Sequence, residues 1–198
     1  MKKIVYVFFL FYSISISAQK TKKKPFIEFQ PDFRFGLQAP AYFGNNFFAN
    51  DFKETIGVQS TLSLAKVKNF RLGLSFDIQR LNLTNTEIIG AFRHVTIKTT
   101  SIIIEYEKKI NKLNTISPTL SFGFNDVNYR NEGIIASQYG NELKTGFYFS
   151  RSLDKTFAVF AGLHYAYYFN SNLNATPENT EYFGHSNKVV LSIGIQIH

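Results

Sequence analysis

The sequence predicts an all-β fold: eight antiparallel strands in an up-and-down barrel, with four long loops at one end and three short turns at the other. Three observations carry this expectation. Eight segments alternate apolar and polar residues with a period of two, the pattern of half-buried strands. The connections between them alternate long and short, so all long ones fall at one end. Finally, 198 residues with 22 Phe, 11 Tyr and a mean hydropathy of −0.10 are too aromatic for a disordered chain and too polar for a bundle of membrane helices. The absence of Cys excludes a disulfide scaffold, a thiol enzyme, a Cys zinc site and an iron–sulfur centre.

The elements follow in chain order. Met1–Lys3 is a short cationic start, Ile4–Tyr12 an apolar run too short to span a bilayer as a helix, and Ser13–Gln19 small and polar, which together form a secretory signal peptide over residues 1–18. Residues 19–25 form a basic flexible tail, and the β-barrel domain occupies residues 26–198. Strands are expected at Ile27–Gln38, Thr55–Ala65, Phe70–Gln79, Phe92–Glu107, Ile116–Asn125, Glu142–Leu153, Phe157–Asn170 and Lys188–His198. In the fourth, the apolar phase at Val95 and Ile97 disagrees with that at Ile104 and Tyr106, and a bulge near Lys98–Ser101 is expected to reconcile them. Short turns fall at Lys66–Asn69, Lys108–Thr115 and Arg151–Lys155, long loops at Ala39–Glu54, Arg80–Ala91, Asp126–Gln138 and Ser171–Ser186. No helix of two turns is expected after the leader.

Alternation fits both a soluble barrel and its membrane counterpart, which point opposite faces inward. The polar set decides. It consists of Gly, Ser, Thr, Gln and charges of mixed sign, suited to a narrow lumen, while the other set is Phe, Leu, Ile and Val. Eleven residues at about 3.4 Å each, tilted by about 40°, rise roughly 28 Å, near the apolar height of such barrels. The expected fold is therefore a transmembrane β-barrel with four long outer loops and three short periplasmic turns. Six of the 22 Lys and Arg precede residue 26, leaving 16 against 14 Asp and Glu, so the formal +8 belongs mostly to the leader and tail, and nucleic acid drops out as a partner.

Across Phe26–His198 the chain resembles the OmpA/OmpX-like family of small eight-stranded outer-membrane barrels in strand count, loop asymmetry and leader. The resemblance implies an integral outer-membrane location after export, and insertion by a barrel-assembly machinery that reads the last strand. Ser192, Gly194 and Ile197 look like that assembly signal, although the final residue is His198 where an aromatic is usual.

A lipid A deacylase of this shape pairs His with Ser on one strand face, with an acid nearby. The nearest approach here is His94 with Thr96, a poor nucleophile, so no catalytic, cofactor or metal residue is expected. Glu28, Asp32, Arg34, Arg71, Asp77, Glu105, Lys144 and His164, with Glu107 and Lys188, are expected to face inward as a charge network that plugs the lumen, a conducting path being the competing reading. Tyr42, Phe43, Phe47, Phe48 and Phe52 in the first long loop are candidates for contact with a surface protein or glycan, with packing of those rings on one another as the alternative. The expectation is a monomer surrounded by outer-membrane lipids, non-enzymatic, with a structural or surface-interaction role. The alternatives are an accessory barrel of a secretion system, similar to the PorT-like proteins, and a lipid A-modifying enzyme.

Overall fold

In the computed structural model, residues 27–85, 93–131, 134–171 and 177–198 are described. The signal peptide and basic tail lie outside these, as does half of the second long loop, residues 86–91. Eight long strands form the wall: β1 (Glu28–Phe43), β3 (Gly57–Val67), β4 (Phe70–Leu83), β5 (His94–Tyr106), β7 (Asn114–Asn131), β8 (Ile134–Ser152), β9 (Phe157–Ser171) and β10 (His185–Ile197). Two short strands, β2 (Phe52–Glu54) and β6 (Lys108–Lys109), pair onto β4 and β7 at their ends. Each long strand is antiparallel to its sequence neighbour, and β1 pairs with both β3 and β10, so the sheet closes and no long edge is left open.

Closure in this register puts one parity of every strand outside. Phe33, Phe35 and Leu37 of β1, Leu72, Leu74 and Phe76 of β4, Leu120, Phe122 and Phe124 of β7 and Leu191, Ile193 and Ile195 of β10 are all exposed, Phe124 at 67%. For a protein in water such a belt would be an aggregation surface; facing lipid tails it is the apolar wall that insertion requires. From Phe70 to Ile78 the belt climbs roughly 20 Å at about 3.3 Å per residue and about 40° of tilt, against the roughly 25 Å of membrane barrels.

Above the belt the polarity reverses. Leu81, Val95, Ile97, Val127 and Tyr129 point inward and are buried, while Arg80, Lys98 and Arg130 on the same strands are exposed. This corrects the expected bulge. β5 keeps one uninterrupted register with β4 and β7 from His94 to Glu105, and the phase change between Ile97 and Ile104 reflects a change of surroundings, from water to lipid, along a regular strand. Register shifts occur instead at Gln30–Pro31 of β1, where Pro31 has no N–H to give the ladder, and at Leu64 of β3.

Two further expectations need correction. The third long connection, Asp126–Gln138, is mostly strand: β7 and β8 continue past the belt as a projecting hairpin whose last pair is Asn131 with Ile134. The outer loops also contain helix, α1 (Phe47–Asp51) and the two-turn α2 (Pro177–Gly184). Sequence patterning missed α2 because its segment lacks an amphipathic stripe and is held by packing on α1.

Two of the three short turns are built from side-chain caps. Asp154 Oδ1 accepts hydrogen bonds from the backbone N–H of Thr156 and Phe157, both at 2.7 Å, and Asn111 Oδ1 does the same for Leu113 and Asn114. The N–H groups of Phe157 and Thr156 hold the Asp154 carboxyl below the usual carboxylate range. Since the folded group ionises more readily than the unfolded one, the turn is fully stabilised at neutral pH and loosens as the pH falls through the folded value. The protection of the Thr156 and Phe157 amides, taken relative to the intrinsic exchange rate at each pH, should fall on acidification in the native protein and be low throughout in Asp154→Ala; pH-independent protection would refute the cap.

Candidate functional site: a filled lumen and its two ends

The inward parity places the lumen's side chains in tiers. In the middle, Arg34 Nη1 meets Glu105 Oε1 at 2.5 Å, with the guanidinium 4.7 Å from the centre of the Tyr148 ring. Lys144 Nζ pairs with Asp77 Oδ2 on the opposite side of the barrel wall. One tier up, Lys188 Nζ lies 3.0 Å from Glu142 Oε2 and donates to Tyr168 Oη at 2.6 Å. All six charged groups have side chains at most 4% exposed. An isolated charge at this depth would cost several kcal/mol, so pairing across strands is the condition for placing them here.

At the lower end Asp32 is the hub. It takes Gln196 Nε2 on both oxygens, at 3.0 and 2.8 Å, and sits 2.7 Å from His198 Nδ1, linking the first strand to the last. Arg71 Nε and Lys66 Nζ converge on Glu107 Oε2, at 2.9 and 2.8 Å. Burial opposes ionisation of Glu107, but the hydrogen bond from Lys66 and the charge of Arg71 outweigh it and hold the carboxyl below its ordinary range.

Of the residues expected inside, Asp32, Arg34, Arg71, Asp77, Glu105, Lys144 and His164 are buried there. Glu28 is not. It is the first residue of β1, below the Gln30–Pro31 shift, and its strand has already passed the lower edge of the lumen, so it is exposed. His164 is buried against the Tyr148 ring, 4.5 Å between centres, and belongs to the packing of the lumen, outside the ion pairs. Glu142, Gln196 and Tyr168 were overlooked in the sequence although they carry the inward parity of their strands, which was the signal available for them.

The outer end is closed by the first long loop. Asn46 caps α1 by accepting from Ala49 N–H at 3.1 Å, and the helix drives Phe47 and Phe48 into the mouth of the barrel. Phe47 packs edge-on to Phe52 at 4.8 Å and against Phe183 of α2 at 4.9 Å. Leu81, Val95, Ile97, Val127 and Tyr168 complete this core. The aromatic residues expected to meet a partner are therefore mostly interior: Tyr42 points down the lumen, its hydroxyl donating to Gln79 Oε1 at 2.9 Å, and Phe47, Phe48 and Phe52 are at most 5% exposed. Among the five only Phe43 faces outward, near Tyr165. The physical reason is that the upper lumen is lined by apolar residues and has to be filled.

Asp51 fastens the lid. Its carboxylate accepts from Tyr182 Oη at 2.7 Å and Asn85 Nδ2 at 3.1 Å, and its carbonyl from Thr84 N–H at 2.8 Å, so one residue joins three loops. No group of three or more metal-ligating side chains occurs among the described residues. His94 and Thr96 lie on the outward parity of β5, and the ladder neighbours of His94 are Asn82 and Arg130, neither of them the acid a triad requires.

A closed eight-stranded antiparallel barrel, apolar outside through a membrane's thickness and packed with paired charges within, is an integral β-barrel of the outer membrane. The solved structures similar to it are of this class. Neisserial surface protein A matches with a TM-score of 0.55 at 10% identity, over 84% of this chain and 96% of that one. A major outer membrane protein from Thermus thermophilus matches with a TM-score of 0.54 at 15% identity, over 85% and 99%. The attachment invasion locus protein of Yersinia pestis matches at 0.49 with 14% identity, over 85% and 99%. The likeness is one of fold, as in the OmpA/OmpX-like barrels. No protein-family model and no curated protein matches the sequence.

Proposed function

We propose that this protein is a sealed, non-enzymatic outer-membrane barrel whose role is structural or surface-contacting and is exercised through its outer end. The observation that supports this most is the double closure of the lumen, by the Arg34–Glu105, Lys144–Asp77 and Lys188–Glu142 pairs and by the aromatic lid above them. With the rings of the first loop turned inward, contact with a surface protein or glycan falls to the projecting β7–β8 hairpin, where Ser137 and Tyr139 are exposed. Export through residues 1–18, and insertion through a last strand carrying Ser192, Gly194 and Ile197, belong to the same reading.

Reconstituted into planar bilayers, the wild-type barrel is expected to give no stable conductance steps, whereas steady ohmic steps would overturn the sealed reading. Asp51→Ala should release the lid: about 1–3 kcal/mol of stability is expected to go with the stranded partners of the carboxylate, and protease cleavage in the first long loop should appear. A deletion strain is expected to keep its lipid A mass and its secretion of exported proteins; a changed lipid A would revive the enzyme reading, and retained cargo the secretion reading.

A further inference from the structure

The lower mouth of the barrel opens into a cavity of about 610 Å³, within the range of small-molecule sites, walled by the strand ends and short turns. Arg34, Lys66, Arg71, Lys109, Lys112 and Lys155 line it, against the carboxylates of Asp32, Glu107 and Asp154. Those three acids are already engaged. Asp32 is taken by Gln196 and His198, Glu107 by Lys66 and Arg71, and Asp154 by the N–H groups of its own turn. Lys109, Lys112 and Lys155 have no such partner among the described residues, and they come from two different turns to overlook the same cavity. On the wall, the buried Nε of Arg34 has no hydrogen-bond acceptor among the described residues. Cations that converge on a concave surface without counter-charges focus a positive potential there.

We propose that this vestibule is a binding site for a small anion of two or more charges, phosphate-bearing or polycarboxylate, approaching from the periplasmic side. Lys109, Lys112 and Lys155 would capture it at the rim, with Arg71 in the wall below. The site is separate from the outer end and does not depend on the role proposed for it.

The test is calorimetric titration of the folded chain, in zwitterionic detergent, with sodium tripolyphosphate and separately with citrate. Saturable sub-millimolar binding of at least one probe is expected, weakened about tenfold or more in the triple variant Lys109→Ala, Lys112→Ala, Lys155→Ala. These are exposed turn residues, and a heat-dependent gel shift verifies that the variant folds. Binding of tripolyphosphate alone would assign a phosphate-bearing ligand, and of citrate alone a polycarboxylate. Arg80→Ala with Lys98→Ala, at the opposite end, should change nothing. No saturable binding of either probe, equal affinity in the triple variant, or loss in the outer-end variant would overturn the site.

Discussion

Arg34→Ala is expected to cost about 3–5 kcal/mol of folding stability, the range for removing one partner of a buried ion pair. The figure follows from what is left behind. Glu105 is 1% exposed, its carboxylate meets Arg34 at 2.5 Å, and its other oxygen has no hydrogen-bond partner among the described residues, so the truncated variant retains a charge with nothing to offset it. The stack on Tyr148 is lost as well. Two controls make the prediction specific. Lys66→Ala removes a pair at the partly exposed lower rim, where solvent screens both charges, and should cost under about 1 kcal/mol. The double variant Arg34→Met, Glu105→Leu removes both charges and should recover much of the loss, because no unpaired carboxylate remains. Equilibrium unfolding in urea from lipid vesicles reads all three. A cost for Arg34→Ala within about 0.5 kcal/mol of zero would mean that the lumen is wet enough to solvate Glu105, and the sealed reading would fall with it.

Gly194→Val should prevent the barrel from closing. Gly194 faces Gly36 across the seam between the last strand and the first. A Cβ built on it meets the carbonyl oxygen of Phe35, the Cα of Gly36 at 2.5 Å and the Phe160 ring at 2.9 Å. Two of the three obstacles are backbone of the partner strand, and backbone can yield only by parting the seam. The cost should therefore exceed the roughly 1–3 kcal/mol of ordinary overpacking. The experiment is spontaneous folding into vesicles with no assembly machinery present. A folded, heat-shifting product at wild-type yield would show that Gly194 matters only as a signal to that machinery. Ser192→Ala, two residues away on the same face, puts no added atom into the seam and should fold normally.

The two predictions differ in how far the sequence foreshadows them. Arg34, Glu105, Lys144 and Asp77 all carry the inward parity of regular strands, so their burial could be read from alternation alone. Which acid meets which base could not be read, because Arg34 and Glu105 are 71 positions apart and meet only when strands that do not adjoin in the sheet face each other across the lumen. Phe47, Phe48 and Phe52 show the opposite case. A loop rich in Phe, Asn and Gly has the composition of a contact surface, and only the apolar lining above the membrane belt, contributed by Leu81, Val95, Ile97 and Val127 from three other strands, turns those rings inward.

What the sequence by itself determined is the wall: eight strands, their up-and-down order, the face turned to lipid and the end that carries the long loops. A period of two in side-chain polarity is a local property that survives without knowledge of any partner. What only the tertiary structure decided is the reversal of that polarity above the belt, the aromatic lid, the pairing of the lumen charges and the cationic lower mouth. Each depends on what stands across the barrel, and distance across a closed sheet is not written in spacing along the chain.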